Sequence, residues 1–191
     1  MPTKMSLEEA KLGHDTFEVP DRVPQAEVGP TGEQVWRALH GASFAVLGYV
    51  TPSGSPRSSG VLYTTLGRRL YVAVAPGSWK AKHVAESGAV SVTVPVRRGG
   101  ILSLVAPIPP ATISFHAAAI VHPAGSPSAR ALMEELGSLV PAERRASACI
   151  IEIVPEGRFL TYGLGVTLRE MRDPVAATAR VSVSDEGGES G

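Results

Sequence analysis

One cysteine, Cys149, occurs among 191 residues. That excludes an internal disulfide and fits a reducing cytoplasm. It stands in the apolar run 148–153, where a small core residue is the ordinary reading and a reactive thiol the exceptional one. An excess of charge of one sign is also missing. Eighteen Lys and Arg face eighteen Asp and Glu, for a formal net charge of zero, so neither nucleic acid nor an anionic membrane is expected as a partner. No run approaches the ~20 apolar residues of a membrane span, and the N-terminus lacks a signal-type apolar core, so a cytoplasmic location is expected. The five histidines, His14, His40, His83, His116 and His122, are scattered. No pair has the helical i, i+4 spacing with an acidic partner that zinc requires, so no metal site is expected. A Gly-x-Ser-x-Gly pattern is absent, which leaves acyl transfer without a nucleophile elbow. Tyr162-Gly163-Leu164-Gly165 lacks both the basic helix of a P-loop and the full dinucleotide fingerprint, and reads as a strand end with turn glycines.

What is present is a globular composition, 43% hydrophobic and 19% charged, in a chain long enough for one core. Residues 1–30 are polar and carry Pro20, Pro24 and Pro30, which predicts an N-terminal arm. Residues 31–165 form the predicted domain. A helix opens at Thr31 with Gln34 at the capping-box position and ends at Gly41. Strands are expected over 44–51, 57–66, 70–75, 89–96, 111–121, 149–154 and 158–164, and helices over 78–86 and 126–139. A turn is expected at 52–55 and a hairpin turn at 67–69. The short turns imply antiparallel pairing. The segment 97–110, rich in glycine and proline yet apolar, reads as a loop that covers something. Residues 166–191 read as a tail, with a helix-like MRDP stopping at Pro174 and a disordered polar end. The predicted fold is mainly β with inserted helices: a six- to seven-stranded antiparallel split β-barrel.

The most informative stretch is 43–96, three apolar strands, a short basic helix and a fourth strand. The helix opens Gly77-Ser78-Trp79-Lys80 and continues through Lys82. A hydroxyl, two ammonium groups and the free N–H groups of a helix start together suit a bound phosphate. Two readings of Lys80 and Lys82 stand at this point: the solvated face of a short helix, or phosphate ligands. Ser58-Ser59 reads either as an ordinary edge-strand pair or as polar contacts for a ligand. Arg68 and Arg69 read as exposed hairpin charge. His116 or His122 could serve a haem, although a lone strand histidine is ordinarily structural.

The order of helix, FAVLGYVTPSGSPRSSGVLY, GRRLYVAVA, GSWKAKHV and AVSVTV resembles the FMN-binding split-barrel proteins, the pyridoxamine 5'-phosphate oxidase-like superfamily. The resemblance covers about residues 33–96 and extends more loosely through 111–121 and 147–162. It implies a homodimer with FMN in a groove at the subunit interface. It implies Arg57, Ser58, Ser59 and Val61 along the ring and ribityl chain, and Val74, within 73–75, on the other wall. Ser78, Lys80 and Lys82 would hold the phosphate. The chain departs from many relatives at Trp79, where they carry arginine. Trp79 then stacks on a ring, shields the site, or marks a member that binds a larger deazaflavin coenzyme, haem or nothing.

The resemblance implies an FMN-dependent oxidoreductase acting on a small organic substrate by hydride transfer at the flavin. The protein would supply position, dry walls and hydrogen bonds, and no side chain stands out as an acid or base. A deazaflavin-dependent reductase and a non-catalytic flavin- or haem-binding protein are the alternatives. Pyridoxamine phosphate oxidation itself is not expected, because the arginine-rich signature near the C-terminus is not evident.

Overall fold

The computed structural model describes residues 29–98, 109–136 and 147–184. The N-terminal arm up to residue 28, most of the apolar loop expected at 97–110 and the polar end beyond 184 lie outside the described residues. Among those described are α1 (Gly32–Gly41), β1 (Phe44–Val50), β2 (Pro56–Leu62), β3 (Thr64–Leu66), β4 (Arg69–Val74), α2 (Trp79–Ser87), β5 (Ala89–Val96), β6 (Ala111–His122), α3 (Pro127–Leu136), β7 (Cys149–Pro155), β8 (Arg158–Tyr162), α4 (Pro174–Ala177) and β9 (Thr178–Ser182). They form one antiparallel sheet with the path β2-β1-β5-β6-β7-β4-β3, while β8 branches from β6 and carries β9. The sheet curls into a half-barrel, the mainly-β split-barrel architecture that the turn and strand pattern predicts.

Most elements follow from local chemistry. In α1 the Thr31 hydroxyl accepts from the Gln34 N–H at 3.3 Å and the Gln34 side chain accepts from the Thr31 N–H at 3.0 Å, a complete capping box. Its Val35, Trp36 and Leu39 face the core. Strand β7 reads Cys-Ile-Ile-Glu-Ile-Val-Pro and is buried along almost its whole length, as a strand covered on both faces should be. Cys149 lies in it as a buried core residue. The main core is centred on Phe159, which meets Trp36 edge-on at 5.5 Å and Phe115 edge-on at 5.2 Å.

Three differences from the sequence reading have physical causes. The strand expected over 57–66 is two strands, broken at Tyr63. Its first half pairs with β1 and its second with β4, so one bent segment joins the two edges of the curled sheet. The bend is anchored because the Tyr63 N–H donates to the Ser43 carbonyl at 2.9 Å and the Tyr63 hydroxyl to the Leu39 carbonyl at 2.7 Å. Second, the helix expected to stop at Pro174 instead starts there. Glu170–Arg172 makes a single 3₁₀ turn, and Pro174 opens α4 behind an Asp173 cap that accepts from the Val175 N–H at 2.9 Å. Proline fits a first helical turn because it has no N–H to lose there. Third, residues 178–182, expected within the tail, form β9 on β8. Smaller shifts are at element ends. The 67–69 turn is the two residues Gly67 and Arg68, with Arg69 already paired to Leu66. Helix α3 begins at Pro127, capped by the Ser126 hydroxyl, and its expected continuation to 139 passes outside the described residues. Strand β8 ends at Tyr162, where Gly163 takes a φ of +72°.

Candidate functional site

The β1–β2 hairpin and the start of β5 enclose an open groove of about 540 Å³, lined by Gly48, Tyr49, Val50, Pro56, Arg57, Ser58 and the residues Ala89 to Ser91. Pairing sets Tyr49 opposite Arg57 and Gly48 opposite both Ser58 and Ser91. Glycine at 48 has a local reason: a Cβ there would run into the Ser91 hydroxyl. Alternation then separates the predicted residues. Val61 is 6% exposed and lies in the main core, whereas Leu62 beside it is 73% exposed on the outer face. Ser59 shares the inward face, and its hydroxyl oxygen is buried with no hydrogen-bond partner among the described residues. Val74 is likewise a core residue at 8% exposure, with Ala73 outward. The groove therefore gathers Arg57 and Ser58 from the predicted set, with Ser59 just beneath them in β2, while Val61 and Val74 pack inside the barrel.

Helix α2 supplies the rest. Pro76-Gly77, with Gly77 at a φ of +73°, turns the chain out of β4. Ser78 then caps the helix, its hydroxyl oxygen accepting from the Ala81 N–H at 3.3 Å. The Lys82 N–H donates to the Ser78 carbonyl at 3.2 Å as the first intrahelical bond. The N–H groups of Trp79 and Lys80 are thus the donors that the helix start leaves over. Both ammonium groups, Lys80 and Lys82, are borne on the first turn beside them. Gly88, at a φ of +64°, ends the helix in a left-handed cap that only glycine adopts without strain.

A run of aromatic rings leads from α2 to Tyr49 of β1, a groove residue whose side chain packs toward the core. The rings of Tyr49 and His83 lie 5.9 Å apart, as do those of His83 and Trp79, and the Lys82 ammonium sits 5.1 Å from the Trp79 ring centroid. Nδ1 of His83 is buried without a partner among the described residues. Tyr49, His83, Gly48 and Ser91 did not emerge from the sequence as site residues. The one available signal was the i, i+4 spacing of Trp79 and His83 on a helix; their meeting with Tyr49 depends on tertiary packing. The donors at the start of α2, two N–H groups and two cations, fit a phosphate, and the groove beside β1, β2 and β5 offers walls for a ring system.

A second polar cluster lies elsewhere. Glu152 of β7 is buried and accepts from Arg69, and from His122 Nε2 at 2.7 Å. Burial pushes its carboxyl up, but hydrogen bonds from His122 and Arg69, with the Arg69 charge, outweigh that and hold it below the ordinary glutamate value. Both carboxylate oxygens are taken, so this cluster is structural. His116 is exposed, and the described residues hold no group of three or more His, Cys, Asp or Glu able to ligate a metal. Nor is any described helix long and apolar enough to cross a membrane.

No protein-family model and no curated protein matches the chain. Solved structures do match. A haem-binding protein from Mycobacterium smegmatis is 16% identical with a TM-score of 0.60, over 82% of this chain and 60% of that protein's length. The haem storage protein HutZ from Vibrio cholerae is 15% identical with a TM-score of 0.53, over 74% of this chain and 98% of its own. An FAD-binding protein from Mesorhizobium loti is 14% identical with a TM-score of 0.50, over 66% and 89%. At such identities likeness speaks for the fold alone, and the fold that this chain shares with them is a mainly-β, curled antiparallel half-barrel.

Proposed function

We propose that the chain is a flavin-dependent oxidoreductase that binds FMN or a related phosphorylated flavin and acts on a small organic substrate. The observation that carries this reading is the start of α2, where two leftover N–H donors and the cations Lys80 and Lys82 share one helical turn. An aromatic run of Trp79, His83 and Tyr49 extends from it to β1, whose hairpin with β2 borders the groove. On this reading the Trp79 and Lys80 N–H groups and the two lysines hold the phosphate, and the Ser78 hydroxyl keeps the helix start in shape. Arg57 and Ser58 meet the polar edge of the ring system. Val50 and Pro56 exclude water from its face. A bound flavin would supply hydride transfer at its central ring nitrogen. A homodimer is part of the proposal. It is supported by the exposed apolar side chains Phe44, Val46, Val50 and Leu62 on the outer face of β1 and β2.

The test is the absorption spectrum of the purified protein, followed by FMN titration. Flavin bands at about 375 and 450 nm, in the protein as purified or on titration, are the expected result. A colourless chain that ignores FMN and binds a deazaflavin, or one that takes up haem instead, replaces FMN with that cofactor.

A further inference from the structure

We propose that the free edge of β9 is the docking site of the chain's own N-terminal arm, whose residues 25–28 add to the sheet as a further antiparallel strand. Strand β9 (Thr178–Ser182) pairs with β8 and with no other strand among those described. Just beyond its ends, the Val183 N–H donates to the Gly157 carbonyl at 3.1 Å and the Gly163 N–H to the Ala177 carbonyl at 2.8 Å. Ala177 and Val183 therefore turn their hydrogen-bonding groups toward β8, and by antiparallel alternation so do Ala179 and Val181. The backbone groups of Thr178, Arg180 and Ser182 point the other way, as a row of donors and acceptors along the edge of the sheet. Such a row is a template for another strand.

The point at which the arm joins the body names the occupant. A Cβ on Gly29 would stand 3.1 Å from that of Ala179, so the chain enters against β9. From Ala179 the strand continues only toward Ser182. Residues read backward from Gly29 therefore meet it in the antiparallel sense, the sense in which β8 pairs with it from the other side. Pro24 and Pro30 lack a backbone N–H, but Gln25, Ala26, Glu27 and Val28 between them each carry one. Charge favours the same contact. Residues 1–28 hold six Asp and Glu against three Lys and Arg, whereas residues 29–184 hold nine against fifteen. Arg158 and Arg180 are exposed on β8 and β9, and no carboxylate among the described residues is paired with either. Glu27 lies within about 7 Å of extended chain from Gly29, and so within reach of Arg180, the residue after Ala179. An arm drawn in by charge and held by backbone bonds also closes an edge that would otherwise invite pairing between copies.

Site-resolved amide hydrogen exchange of the full chain tests this, using the native protein, Ala26→Pro, Glu27→Lys and the Glu27→Lys/Arg180→Glu double variant. In the native chain the Arg180 amide should be protected although it faces away from β8. Ala26→Pro removes one arm N–H and should speed exchange at Arg180 by about tenfold or more. Val181, bonded to β8, should stay slow in the same variant and so report an intact sheet. Glu27→Lys sets like charges side by side and should lose part of the protection, and the charge-swapped double variant should regain it. An Arg180 amide that exchanges in the native chain as fast as in an unstructured peptide overturns the proposal. So does protection that survives Ala26→Pro; if that protection rises with protein concentration, a second copy covers the edge instead of the arm.

Discussion

The Tyr63 hydroxyl donates a 2.7 Å hydrogen bond to the Leu39 carbonyl, tying the corner between β2 and β3 to the last turn of α1. Both residues are buried, and burial pushes the Tyr63 phenol far above its ordinary value of 10.0. A phenol raised in this way contributes stability that is whole below the unfolded value and is lost as pH climbs above it, because only the unfolded chain can then shed the proton. Tyr63→Phe should therefore cost about 1–2 kcal/mol at neutral pH. It should also flatten the fall in stability above about pH 10. Urea unfolding of both proteins at pH 7 and at pH 10.5 measures the two effects, and parallel pH curves would remove Tyr63 as the cause.

Glu152 has the opposite sign. Its folded-state carboxyl titrates below the ordinary value because His122 and Arg69 more than offset the cost of burying it. Its contribution is whole above the unfolded value of 4.5 and disappears as pH falls through the lower folded value. His122→Phe leaves one oxygen of a buried carboxylate without a donor and should cost about 1–3 kcal/mol at pH 7. Glu152→Gln should lose less stability than the native chain as pH falls from neutral through 4.5 and below. Thermal melts across that range supply the check.

The fold was legible because the punctuation is strong. Gly67, Gly77, Gly88 and Gly157 all adopt positive φ, and each falls between alternating or apolar runs that can pair only with neighbours. The bend at Tyr63 was not legible. PRSSGVLYTTL is a continuous strand-forming run, and only the closure of the sheet, through Ser43 and Leu39, breaks it. The start of β9 was hidden for a similar reason: TARVS follows a proline-opened turn of helix, and its partner β8 stands sixteen residues away at the nearest pairing, Tyr162 with Thr178. The placement of Ser78, Lys80 and Lys82 at the start of α2 was readable because a helix start is a local object. Val61 and Val74 look alike from sequence whether they line a groove or a core. The burial of β2 and β4 puts both in the core.

For the proposed phosphate contacts, replacing Lys80 and Lys82 together with alanine should weaken FMN binding by about 2–4 kcal/mol, the worth of two charge-assisted hydrogen bonds. The loss should shrink as salt is raised, since both ammonium groups stand near solvent. The fold should be indifferent, because the Ser78 cap and the buried Ala81 and Val84 remain. Fluorescence titration at two salt concentrations reads the effect. An unchanged affinity would remove the start of α2 from the site.

The outer face of β1 and β2 carries the prediction about assembly. Leu62, the most exposed large apolar residue described, pairs directly with Phe44, and Val46 and Val50 follow on the same face. Four apolar side chains in one patch gain little from solvent, and their burial by a second copy returns about 25 cal/mol per Å² covered. Gel filtration of the native chain should give about twice the 19.9 kDa chain mass. Leu62→Lys, at a position 73% exposed and so tolerant of charge in a monomer, should shift the peak toward a single chain without altering the circular dichroism spectrum. If the variant and the native protein both elute as dimers, the contact lies on another face. If both elute as monomers, a cofactor site shared between subunits is ruled out, and the groove between β1, β2 and β5 must hold its ligand alone.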